Sequence, residues 1–111
     1  MVWNTILSQK CGAANSCHNR ASGSGGLIFN NDKATAYTNM VGVDSSSPCG
    51  AVTKLVTAGN PAQSELFIKV NSPTQAIPSC GNRMPNPGTT PLPPADIKLI
   101  QDWIAAGALN N

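Results

Sequence analysis

Charge is what this sequence has least of. Lys, Arg, Asp and Glu make up 11% of its 111 residues, and the basic ones, Lys10, Arg20, Lys33, Lys54, Lys69, Arg83 and Lys98, are dispersed along the chain. That spacing excludes the basic stripe a nucleic acid needs and the polybasic cluster of a membrane-surface anchor. Aromatic residues are scarce too, with two Phe, two Trp and one Tyr. A core built on so few rings is thin for a single domain of this length, where a cofactor, a metal or a disulfide commonly adds the missing stability. No apolar run approaches the ~20 residues of a membrane-spanning helix. No basic, apolar and small-residue order of a signal peptide is present either, so an exported protein of this sequence reads as a mature chain or one domain of a longer one. Histidine occurs once, at position 18. One histidine among scattered carboxylates forms no hydrolytic triad, and no glycine-rich phosphate loop precedes a helix, so no enzyme activity is expected.

What the sequence does have is four cysteines in a weakly charged chain rich in Asn, Ser and Thr, a usage that favours an oxidising, periplasmic or extracellular compartment. Four thiols pairing among themselves allow three connectivities, and spacing does not choose among them. Two of them stand in the stretch Cys11-Gly-Ala-Ala-Asn-Ser-Cys17-His18. Two cysteines with a histidine directly after the second is the order of covalent haem attachment, in which the thiols add to the vinyl groups and the adjacent imidazole ligates the iron. A histidine fixed beside its own thioether anchor has little entropy left to lose on binding iron. Five residues separate the thiols where the usual motif has two. The wider gap requires a bulge or an extra turn and leaves open attachment through one thioether. A Cys11 to Cys17 disulfide beside an incidental histidine is the bland alternative. A zinc site is a weaker one, because adjacent Cys17 and His18 are awkward joint ligands of one tetrahedral ion.

The organisation around this motif reads as helical. Val2, Trp3, Ile6, Leu7 and Lys10 recur at steps of three and four and predict an amphipathic helix running into Cys11. Residues 21–26 form a flexible Gly/Ser loop. A second helix is expected from Asp32, with Ala36, Tyr37, Met40 and Val41 apolar, closed by a polar turn over residues 44–48. Val52, Leu55 and Val56 make a short extended or irregular piece. A third helix is expected over residues 60–70, with Asn60 as N-cap, Pro61 in its first position, and Leu66, Phe67 and Val70 apolar. Pro73 and Pro78 end it. Residues 80–94 have no helical or strand period and read as a long proline-rich loop of the kind that is usually functional. The closing helix, residues 94–106, has Ile97, Ile100, Trp103 and Ile104 on one face and Gly107 as its stop. No β-hairpin and no repeat is apparent, so the expected fold is all-α, one domain over residues 1–111 with about four short helices. Trp3 and Trp103 are expected to join the terminal helices.

Taken together, the helix into Cys17-His18, the Gly59-Asn60-Pro61 start with Ser64 and Leu66, the Arg83-Met84-Pro85 loop and the closing Trp103-Ile104-Ala105-Ala106-Gly107-Ala108 resemble a small bacterial monohaem cytochrome c domain. The resemblance covers nearly the whole chain. It implies a cytochrome c-like fold around one covalently bound haem c, with Cys11 and Cys17 as anchors, His18 and Met84 as axial ligands of the iron, and Cys49 and Cys80 left to form a disulfide. Met40 is the competing thioether, placed by its helical spacing in the core. A methionine ligand raises the potential relative to a second histidine, which suits a single-electron carrier. Arg83 or a nearby asparagine is expected to meet a haem propionate. Partners are then redox proteins, docked with weak salt dependence at a net charge of +2. The low charge and the polar Asn/Ser surface suggest a rival, a structural subunit whose haem is carried in a larger cytochrome assembly. The reading furthest from it is a haem-free binding module stapled by disulfides.

Overall fold

Apolar residues from the two ends of the chain meet over the aromatic residues between them. The computed structural model describes residues 2–11, 18, 27–29, 32–85 and 90–110. The Gly/Ser loop expected over residues 21–26 and Cys17 of the haem motif lie outside these.

The N-terminal helix, Trp3–Cys11, is wound in the wide register in which each amide reaches five residues back. Val2, Ile6 and Leu7 are buried along it, and Trp3 and Cys11 pack at the edge of the core. Its basic end is tied to the closing helix through an ion pair between Lys10 and Asp96. Helix α1, Lys33–Thr38, starts at the expected acidic residue: Asp32 is extended, and its carboxylate accepts from the Thr35 amide at 2.9 Å. The Thr35 hydroxyl, then its amide, hold the Asp32 carboxyl below the ordinary carboxylate value.

From here the chain departs from an all-α fold. Strand β1, Asp44–Cys49, pairs antiparallel with β2, Val52–Lys54, with Asp44 opposite Lys54 and Cys49 opposite Val52. The fold is mixed α/β, with two small antiparallel sheets. The polar segment expected as a turn is therefore a strand, and its own turn comes later, at Gly50 and Ala51, where Gly50 takes a φ of +60°. Two-residue hairpin turns require such a positive φ, which glycine adopts without steric cost. Pro48 is tolerated because a two-stranded sheet consists only of edges. The cross-strand pair Asp44 to Lys54 closes the open end at 2.7 Å.

The expected third helix is broken in two. A single tight turn over Pro61–Gln63 precedes α2, Glu65–Val70, and Ser64 between them is extended. Asn60 makes no side-chain cap there. The buried Ser64 hydroxyl instead accepts from the Thr57 amide at 2.8 Å and donates to the Asn60 carbonyl at 2.9 Å, so the break in the helix is closed by a side chain. A second hairpin follows, β3 (Ala76–Ile77) with β4 (Gly81–Asn82), and β4 falls inside the stretch expected to be loop. A disulfide joins Cys49 at the end of β1 to Cys80 just before β4.

Helix α3, Pro94–Ala105, buries Ile100, Trp103 and Ile104. It stops where its sequence says it should. The Gly107 amide donates to the Ile104 carbonyl at 3.0 Å and the Ala108 amide to the Trp103 carbonyl at 2.9 Å, with Gly107 at a φ of +114°. This paired closure satisfies two orphan carbonyls of the last turn. The tryptophans do not link the terminal helices through each other. Trp3 lies edge-on to Phe29 at 5.8 Å, and Trp103 packs on Tyr37 at 5.1 Å. Burial raises the Tyr37 phenol above its ordinary value; the Trp3 backbone beside it partly offsets this without closing a hydrogen bond.

Candidate functional site

A largely apolar cleft with about 840 Å³ of free space, part of it open to solvent, lies between α2, β1 and the segments that carry Cys11, His18 and Met84. Its apolar walls are Leu27, Phe29, Leu55, Leu66 and Val70. Its sulfur and nitrogen ligating groups are Cys11, His18, Met40 and Met84. Ser45, Ser46, Ser47, Glu65 and Lys69 form a polar side. Three of the four residues expected to hold a haem thus share one cavity, and the fourth, Cys17, lies outside the described residues.

His18 is held by the segment 27–29. The Phe29 amide donates to the His18 carbonyl at 2.6 Å, and the rings of the two residues lie 5.5 Å apart. The His18 Nδ1 atom is 3.1 Å from the Leu27 carbonyl oxygen. A carbonyl only accepts, so Nδ1 carries a proton, and in the neutral ring the lone pair lies on Nε2. Fixing the tautomer through a backbone carbonyl is how metal-binding histidines are commonly oriented.

Met84 follows β4 by one residue, Arg83. Its amide donates to the Lys69 carbonyl at 2.8 Å, and its peptide bond to Pro85 is cis. Met40, buried to 1% exposure beyond the end of α1, lines the same cavity while packing in the core. Sequence spacing placed it in the core and gave no sign that the core and the cavity share a wall there. Arg83 is turned elsewhere: its guanidinium donates to the Ser72 carbonyl at 3.4 Å and to Gln75 Oε1 at 3.3 Å, and it is absent from the cavity wall. These contacts secure the loop before β3.

The polar side was not foreseen. Glu65 is buried to 6% exposure; Oε2 accepts from the Ser45 hydroxyl at 2.9 Å, and Oε1 has no hydrogen-bond partner among the described residues. The only signal for it was the run of serines at 45–47, which reads as a turn until β1 carries it to the cavity rim. Among the described residues no group of three or more His, Cys, Asp or Glu side chains is placed to hold a metal ion, and no helix is long and apolar enough to cross a membrane. The cavity residues do fit a flat apolar iron macrocycle: apolar walls, an imidazole with its tautomer set, a thioether and a thiol at one site.

No family model, curated protein or solved structure matches the chain.

Proposed function

We propose that the protein is a single-electron carrier of the c-type cytochrome class, holding one haem c in the apolar cavity. The observation that carries the reading is the His18 ring, its Nδ1 bonded to the Leu27 carbonyl, in a cavity that also presents Cys11 and Met84. Cys11 and Cys17 would anchor the group, and His18 and Met84 would hold its iron. Bound haem supplies reversible one-electron chemistry between ferrous and ferric iron. The chain's own residues keep the proton on Nδ1, keep water away along Leu27, Phe29, Leu66 and Val70, and offer a soft sulfur that favours the ferrous state. With His18 the only histidine, a second imidazole from this chain is excluded as the other ligand. The Cys49 to Cys80 disulfide supports a periplasmic or extracellular setting with redox proteins as partners.

The test is a visible spectrum of the reduced and oxidised protein together with the mass of the denatured chain. Each thiol adds across a vinyl double bond and nothing leaves, so attachment through one or two thioethers adds the mass of one haem either way. Thiol titration of the denatured chain separates them: none reacts if both are bonded, and one reacts if a single thioether forms. A sharp reduced α band, a weak near-infrared band in the oxidised form and the added haem mass are expected. A colourless protein whose mass shows only disulfides overturns the reading in favour of a haem-free binding module. A haem protein that elutes only as a large assembly would make it a structural haem subunit.

A further inference from the structure

Resting on the haem reading above, we propose that Lys69 is the positioning residue for Met84, seating the methionine-bearing segment against α2 through an ammonium held between main-chain carbonyls. Lys69 touches this segment at three alternate residues. Its Nζ donates to the Cys80 carbonyl and, at 3.5 Å, to that of Asn82, while its own carbonyl accepts from the Met84 amide at 2.8 Å. An ammonium has three N–H donors and no acceptor, so two carbonyls flanking one residue suit it, and charge strengthens both bonds.

The residue between those carbonyls is Gly81. A Cβ there would stand 3.1 Å from the Lys69 Nζ, and the backbone has a φ of +73°. The missing side chain is what lets the ammonium come this close. The disulfide at Cys80 divides the labour: it limits how far the segment can travel, while Lys69 sets where, within that range, Asn82 to Met84 lie. The lysine stem also lines the cavity, so the positioning residue and the thioether it places belong to one wall.

The haem-loaded protein tests this with Lys69→Met, which keeps the stem and removes the donors, and Lys69→Arg, which restores them. Loss of a charge-assisted bond shifts a held-to-released equilibrium about tenfold or more. Lys69→Met is therefore expected to keep its Soret absorbance while the near-infrared band of methionine ligation weakens and an added imidazole displaces Met84 at about a tenfold lower concentration, with a lower midpoint potential. Lys69→Arg is expected to recover both, and Lys98→Met, at an exposed site, to leave both unchanged. An unchanged band and potential in Lys69→Met at equal Soret absorbance overturns the proposal and leaves the haem reading standing. Should Lys69→Met not fold, Gly81→Ala displaces the ammonium without removing it; a weakened band is expected, and a full band overturns the proposal. Wild-type protein without haem overturns the reading and this inference together.

Discussion

The two walls of the cavity are held by different physics. The His18 wall is packed: Phe29, at 1% exposure, lies against the rings of both Trp3 and His18, and residues 27–29 are tied to His18 through the Phe29 amide and the Leu27 carbonyl. The Met84 wall is tethered: a disulfide, a two-residue ladder and a lysine on carbonyls fix a segment whose methionine is only partly buried. Packing fixes a side chain closely because interiors are as dense as organic crystals. Tethers restrict a segment while leaving it room to adjust. A site built this way has one candidate ligand set by the core and one carried on a segment with room to adjust.

The largest effect expected is on the packed wall. Phe29→Ala should cost about 3–5 kcal/mol in denaturant unfolding, the range for deleting a fully buried aromatic ring. A loss under about 1 kcal/mol would mean that the cavity collapses around the gap and that the wall is not held by packing. Next comes the tethered wall. Replacing both Cys49 and Cys80 by serine should cost about 3–4 kcal/mol in the chain-entropy model for a 31-residue separation. Amide exchange should then quicken at Met84 and stay slow at Phe29; equal quickening at both would erase the distinction between the walls.

The smallest effect sharpens the comparison. The buried Tyr37 hydroxyl has no hydrogen-bond partner among the described residues, so Tyr37→Phe should leave stability at neutral pH unchanged or raise it by about 1 kcal/mol. Burial holds the folded phenol above its ordinary value of 10.0, so the folded chain keeps a proton that the unfolded chain releases first. Stability is thus complete below about pH 10 and declines above it until the folded phenol also ionises. The Phe variant should lose this alkaline decline. Persistence of the decline would assign it to another group.

Much of this was legible where local chemistry and tertiary structure agree. Asp32 caps α1, Gly107 closes α3, and the run from Ile97 to Ile104 presents the expected buried face, because caps and periodicity act within a few residues. The candidate ligands His18 and Met84 were legible as motif residues, and the cavity gathers them. The strand at 44–49 was not legible: Asp-Ser-Ser-Ser-Pro-Cys carries turn formers and no alternation, and it is extended only because β2 and a cysteine 31 residues away hold it so. Glu65 was hidden for the same reason, since nothing in its neighbourhood says that Ser45 will arrive beside it. The all-α expectation failed at those long-range ties, where local propensity is a weak guide.

Trp103 and Trp3 give the molecule two optical reporters, one for each terminal helix. Trp103, at 8% exposure, donates its indole N–H to the Leu109 carbonyl at 2.8 Å while lying against Tyr37. Trp3 lies one ring away from His18, through Phe29. Emission from the first follows the docking of the closing helix, and emission from the second follows the edge of the cavity. A chain with so few aromatic rings therefore carries its own fluorescence assay, in which the variants Trp3→Phe and Trp103→Phe tell undocking from cavity opening without an added label.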